Sequence, residues 1–177
     1  MAEERNEHRD ALAGEPVHPL TQGHSTSAAS NADVLSVLND LLQSCRDGAY
    51  GFATSAEHAQ AQDIKTLLAR HAGECTVAAR EIEQAIVARG GEPEKGGTAA
   101  GALHRGWVAV RAALSQQDDK TVLQECERGE DTAVARYRKA LATDLPADLR
   151  PMIERQALGA RRNHDEVKAL RDALKNS

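Results

Sequence analysis

Aromatic side chains are almost missing from this chain of 177 residues: phenylalanine, tyrosine and tryptophan together make up 2%. A β-sandwich or barrel draws its core from aromatic and β-branched faces, so that class of fold is excluded. Long apolar runs are also missing. No stretch approaches the ~20 residues needed to cross a bilayer, and the N-terminus lacks the apolar segment of a secretory leader, which makes the cytoplasm the expected compartment. Excess positive charge is lacking as well. A net charge of −5 and a pI near 5.8 leave no basic surface on the scale that binding a phosphate backbone requires, so nucleic acid is not an expected partner. The three cysteines, Cys45, Cys75 and Cys126, form no C-x-x-C pair and read as buried thiols in a reducing compartment. No glycine-rich phosphate loop, Ser/His/Asp order or nucleophile elbow occurs, so no catalytic residue is assigned and enzymatic activity is not expected.

Abundant alanine and leucine, in helical periodicity, take the place of these features. Residues 1–32 carry few large apolar groups and read as a disordered tail, with His8, His18 and His24 at irregular spacing. From about Asp33 onwards the chain reads as one helical domain, 33–177. A first helix carries Val34, Leu38, Leu41, Cys45 and Phe52, with Asn31 or Asp33 as its N-cap. Gly48 and Gly51 interrupt it, which predicts close approach of a neighbouring helix. A second helix, capped by Asp63, carries Ile64, Leu67, Leu68, His71, Cys75, Ile82 and Ile86 and stops at Gly90, Gly91 and Pro93. A shorter amphipathic helix follows with Leu103, Trp107, Val110 and Leu114. Two further long helices run through Val122, Cys126, Glu130 and Tyr137, and through Ile153, Gln156, Ala160, His164 and Val167. Short links make each pair of long helices an antiparallel hairpin. The shorter helix then acts as a crossover that leaves the second and fourth helical segments parallel. The fold class is therefore all-α: a ferritin-like antiparallel four-helix bundle with an additional shorter crossover helix. A plain up-down array of five helices is the rival.

Three segments carry a resemblance: Asp47-Gly48 with Gly51-Phe52, the run from Gly101 to Trp107, and Glu127-Arg128-Gly129-Glu130-Asp131. In this order they resemble a bacterial ferritin-like four-helix-bundle domain family of unknown function. Through its kinship with ferritins and rubrerythrins, that resemblance implies a part in stress response or in handling iron or peroxide. A di-iron oxidase or peroxidase ranks last among the readings. Such centres use paired Glu-x-x-His motifs, and none of the long helical segments has one. The second has His71-x-x-Glu74 instead, the next long one has Glu127-x-x-Glu130, and the last has Arg161 three residues before His164.

Ionisable groups on apolar stripes define the candidate site. Heights counted from the turns bring His71, Glu127, Glu130 and His164 together near mid-bundle, a set suited to one Fe, Mn or Zn ion. The alternative is a metal-free polar layer in which Glu130 accepts hydrogen bonds from His71, His164, Tyr137 or Gln156. Homo-oligomerisation is expected, with the small-residue patch of Gly48, Gly51 and Ala53 as a seat for a partner helix. No protein partner is identified.

Overall fold

A computed structural model describes residues 29–95 and 118–175. They form four helices: α1 (Asn31–His58), α2 (Gln62–Ala88), α3 (Asp119–Leu141) and α4 (Arg150–Lys175). The expected tail and the expected crossover helix around Trp107 lie outside the described residues.

Local chemistry fixes the helix ends. The cap of α1 is Ser30, not Asn31 or Asp33; it closes a reciprocal capping box with Asp33 three residues on. Asp63 does not cap α2, whose N-cap is Ala61 with no side-chain bond. Within the first turn the Asp63 carboxylate accepts from the Ile64 amide at 2.9 Å, while Asp119 of α3 accepts from the amides of Gln60 and Ala61 just before the helix, the latter at 2.9 Å. The stop after α2 is as expected, with Gly90 at φ +72° in the left-handed region. Gly91 lies so close to α1 that a Cβ there would come within 2.6 Å of Leu35.

The bond from Asp119 ties the start of α3 to the α1–α2 turn. At the opposite end Arg89 pairs with Asp148 at 2.6 Å, joining the end of α2 to the start of α4. Hence α2 and α3 run parallel while every pair of neighbours is antiparallel, as ferritin-like connectivity requires. α1 packs against α2 and α3, and α3 against α4. Gly48 serves this packing, since a Cβ on it would lie 2.9 Å from Cys75 Sγ of α2, while Ala53 of the expected patch is exposed.

The core is divided in two. One cluster, with Leu38, Leu41, Ile82, Ile86 and Ile153, fills the end nearest the start of α1. The other, with Phe52, Ile64, Leu68, Leu123 and Val167, fills the far end. Between them the wall residues become thiols, glycines and polar groups. The seam between α2 and α4 is bridged by side chains: Glu74 with Arg162 at 2.7 Å and Glu81 with Arg155 at 2.9 Å. None of the described helices is long and apolar enough to cross a membrane.

Candidate functional site

At mid-height the gap between the two cores is a cavity of about 760 Å³, half open to solvent and lined from all four helices. That volume falls within the range of small-molecule sites, roughly 300–1,000 Å³. Phe52, Cys75, Ala78, Cys126, Ala133 and Ala160 supply much of its apolar wall. Glycines from α2, α3 and α4 also line it. A Cβ on Gly73, Gly129 or Gly159 would meet no described atom within 4 Å. Gly73 and Gly129 are exposed and Gly159 is half-buried, so unlike Gly48 they border the open side of the cavity.

A hydrogen-bond relay crosses the bundle beside the cavity. Tyr137 on α3 donates to Gln156 Oε1 on α4 at 3.0 Å, which leaves the Cys45 thiol of α1 to donate to the tyrosine oxygen at 3.2 Å. Gln156 Nε2 donates in turn to Glu81 of α2 at 2.8 Å. This relay joins all four helices with each link satisfied, the condition under which a buried polar network gives a single register. Asn163, its amide nitrogen turned towards α2, donates to Glu74 at 3.0 Å.

Glu130 lies outside the relay. It lines the cavity, is only 3% exposed, and its Oε2 has no hydrogen-bond partner among the described residues. Burial, followed by the negative charge of Glu74, pushes its pKa up to about 8, so at neutral pH the group is chiefly a neutral acid. The thiols are likewise held protonated. Burial raises Cys45 to about 11 and Cys126 to about 12, and Cys75 moves in the same direction. Tyr137 is also raised by burial.

The four expected metal ligands are not brought together, and no group of three or more His, Cys, Asp or Glu able to hold a metal occurs among the described residues. His71 is fully buried, as expected, but its Nε2 donates to Glu166 at 2.9 Å and its ring meets Phe52 edge-on. Burial lowers its pKa, favouring the neutral ring. Glu127 is paired with Arg171. His164 points towards the surface between Asp131 (3.2 Å) and Asp165 (2.9 Å). The inward positions of α4 are Ile153, Gln156, Ala160, Asn163 and Val167, a three-four rhythm that places Asn163 inside and turns His164 away. The expected bonds from His71, His164, Tyr137 and Gln156 to Glu130 are therefore absent, each of these groups having another partner.

Sequence reasoning missed Glu81, Asn163 and Glu166. The three-four rhythm signals Asn163. Glu81 and Glu166 sit on polar faces where nothing in the sequence sets them apart from solvated glutamates.

No curated protein matches the chain. Among solved structures, a similar one is that of a two-domain protein from Anabaena variabilis ATCC 29413 with DJ-1/ThiJ/PfpI-like and ferritin-like domains. The identity is 14% and the TM-score 0.67, with 85% of this chain and 39% of that protein covered. The chain thus spans well under half of that protein's length, and at this identity the likeness shows the fold alone. A family model matches residues 33–143. Ferritin-like in fold, with a cavity where its two cores part, the chain belongs to the family described as Domain of unknown function (DUF2383).

Proposed function

We propose that this bundle is a binding module for a small organic molecule, held in the cavity between the two cores, and not a redox enzyme. One observation carries the reading: a half-open cavity of about 760 Å³, lined from all four helices, with the buried Glu130 carboxyl in its wall and the Oε2 of that group without a partner among the described residues. Each unpaired buried polar atom costs about 1–3 kcal/mol, and a ligand that satisfies it recovers that cost. The chemistry of the wall favours binding over catalysis. Its thiols are held protonated by burial, and a protonated thiol is a poor nucleophile.

Metal or stress-related handling, with Fe, Mn or Zn held by His71, Glu127, Glu130 and His164, has weaker support, since three of those four side chains already have partners elsewhere. It requires a rearranged α4, and stoichiometric metal in protein purified without a tag would restore it.

Xenon tests the principal reading, because it enters apolar cavities whatever their natural occupant. Under xenon pressure the amide resonances of Cys75, Gly129 and Ala160 should shift saturably, and those of Leu38 and Ile86 in the filled core should not. Unmoved cavity resonances would remove the reading.

A further inference from the structure

Among the described residues, one fully buried polar atom on the cavity lining has no partner, and that atom restricts what the cavity can take. Three described side chains hold a buried atom without a partner, those of Ser55, His71 and Glu130; of the three, only Glu130 lines the cavity. The charged groups on the lining are paired off. Arg155 is with Glu81, Arg162 with Glu74, Arg136 with Asp47 at 3.6 Å, Arg70 with Glu166, and Glu125 with Arg128 at 3.0 Å. The remaining titratable lining groups, Cys45 of α1, Cys75 of α2 and Cys126 and Tyr137 of α3, are neutral at ordinary pH.

A buried carboxyl with no cation beside it keeps its proton, because an unpaired charge there costs several kcal/mol. Glu130 therefore offers an O–H and needs an acceptor. Gly159, half-buried on α4, borders the cavity, and a Cβ there would meet no described atom within 4 Å. A charged ligand would meet guanidinium and carboxylate groups that already neutralise one another, and would gain no partner for its own charge.

Resting on the reading of the cavity as a small-molecule site, we propose that its ligand is an uncharged, largely apolar molecule bearing a carbonyl-type oxygen that accepts a hydrogen bond from Glu130.

The test uses Prodan, an uncharged naphthalene ketone whose emission reports both the polarity around it and hydrogen bonding to its oxygen, titrated against the full chain. A naphthylmethylammonium ion of similar size serves as the cationic probe. Prodan should bind saturably with blue-shifted emission. Its affinity should fall about tenfold, the worth of one hydrogen bond, between pH values about two units below and one unit above the Glu130 pKa. Glu130→Gln, which keeps a donor, should retain binding and lose that pH dependence, and Glu130→Leu should lose the affinity at every pH. The ammonium probe should not compete.

Gly159→Leu, which fills space that no described atom occupies, should abolish Prodan binding while leaving the helical circular dichroism intact. Should Prodan fail to bind, or bind Gly159→Leu as well as the parent, the cavity reading and the ligand class fall together. Should the ammonium ion bind more tightly, with affinity rising with pH, the uncharged class is overturned and the cavity stands. Prodan binding blocked by Gly159→Leu but indifferent to pH and to Glu130→Leu would overturn the donor role of Glu130 alone.

Discussion

At the scale of single residues, Glu130 and His71 give the protein two opposed pH dependences. The pKa of Glu130 is raised on folding, so between about 4.5 and about 8 the folded chain keeps a proton that the unfolded chain releases. Stability is therefore lost as pH rises through that window, by at most about 1.4 kcal/mol per pH unit. His71 acts in the other direction. Its folded pKa lies below 6.5, so its contribution is present above that value and is lost as the pH falls beneath it. Glu130→Gln should remove the alkaline loss and be more stable than the parent at pH 9. Urea denaturation from pH 6 to pH 9 measures this, and parallel curves for the two proteins would refute it. Both residues were legible in the sequence as groups withdrawn from water, since each falls on an apolar stripe. Their bonding was not. Which carboxylate meets His71 depends on the rotation of α4, and one residue of phase separates Asn163, which points inwards, from His164, which does not.

At the scale of the helices, the glycines divide by what a methyl group would meet. Gly73→Ala and Gly129→Ala should each raise stability by about 0.5–1 kcal/mol, through helix propensity alone. Gly48→Ala should lower it, because Cys75 Sγ stands 2.9 Å from the new carbon. Thermal unfolding of the three variants distinguishes these signs, and destabilisation by all three would contradict the open-space assignment. At the start of α1, Ser30→Ala breaks the capping box and should cost about 1 kcal/mol. Helix existence and type follow from periodicity. Caps are harder to read, because a side chain distant in sequence can take part, as Asp119 does just before α2.

At the scale of the whole molecule, two packed ends flank a hollow middle, and α2 and α4 are joined across it mainly by side-chain bridges. Local opening should follow that division. Amide hydrogen exchange should be slowest in the parts of α1 and α2 around Leu41 and Ile82 and faster around Gly73, Gly129 and Gly159. Uniform protection along the helices would contradict the divided core. Ferritin-like connectivity was legible from the lengths of the links, whereas the cavity was not, because the sequence does not reveal whether a glycine admits a neighbouring helix or faces solvent.

All three scales meet in one claim: a buried carboxyl group in the wall between the two cores, its Oε2 without a partner among the described residues, is kept neutral by burial. Carbon NMR of the Glu130 side-chain carboxyl, assigned by its loss in Glu130→Gln, tests this directly. The account predicts a titration midpoint of about 8 in the free protein. A midpoint near the ordinary glutamate value of about 4.5 would mean a hydrated or paired carboxylate, and would contradict it.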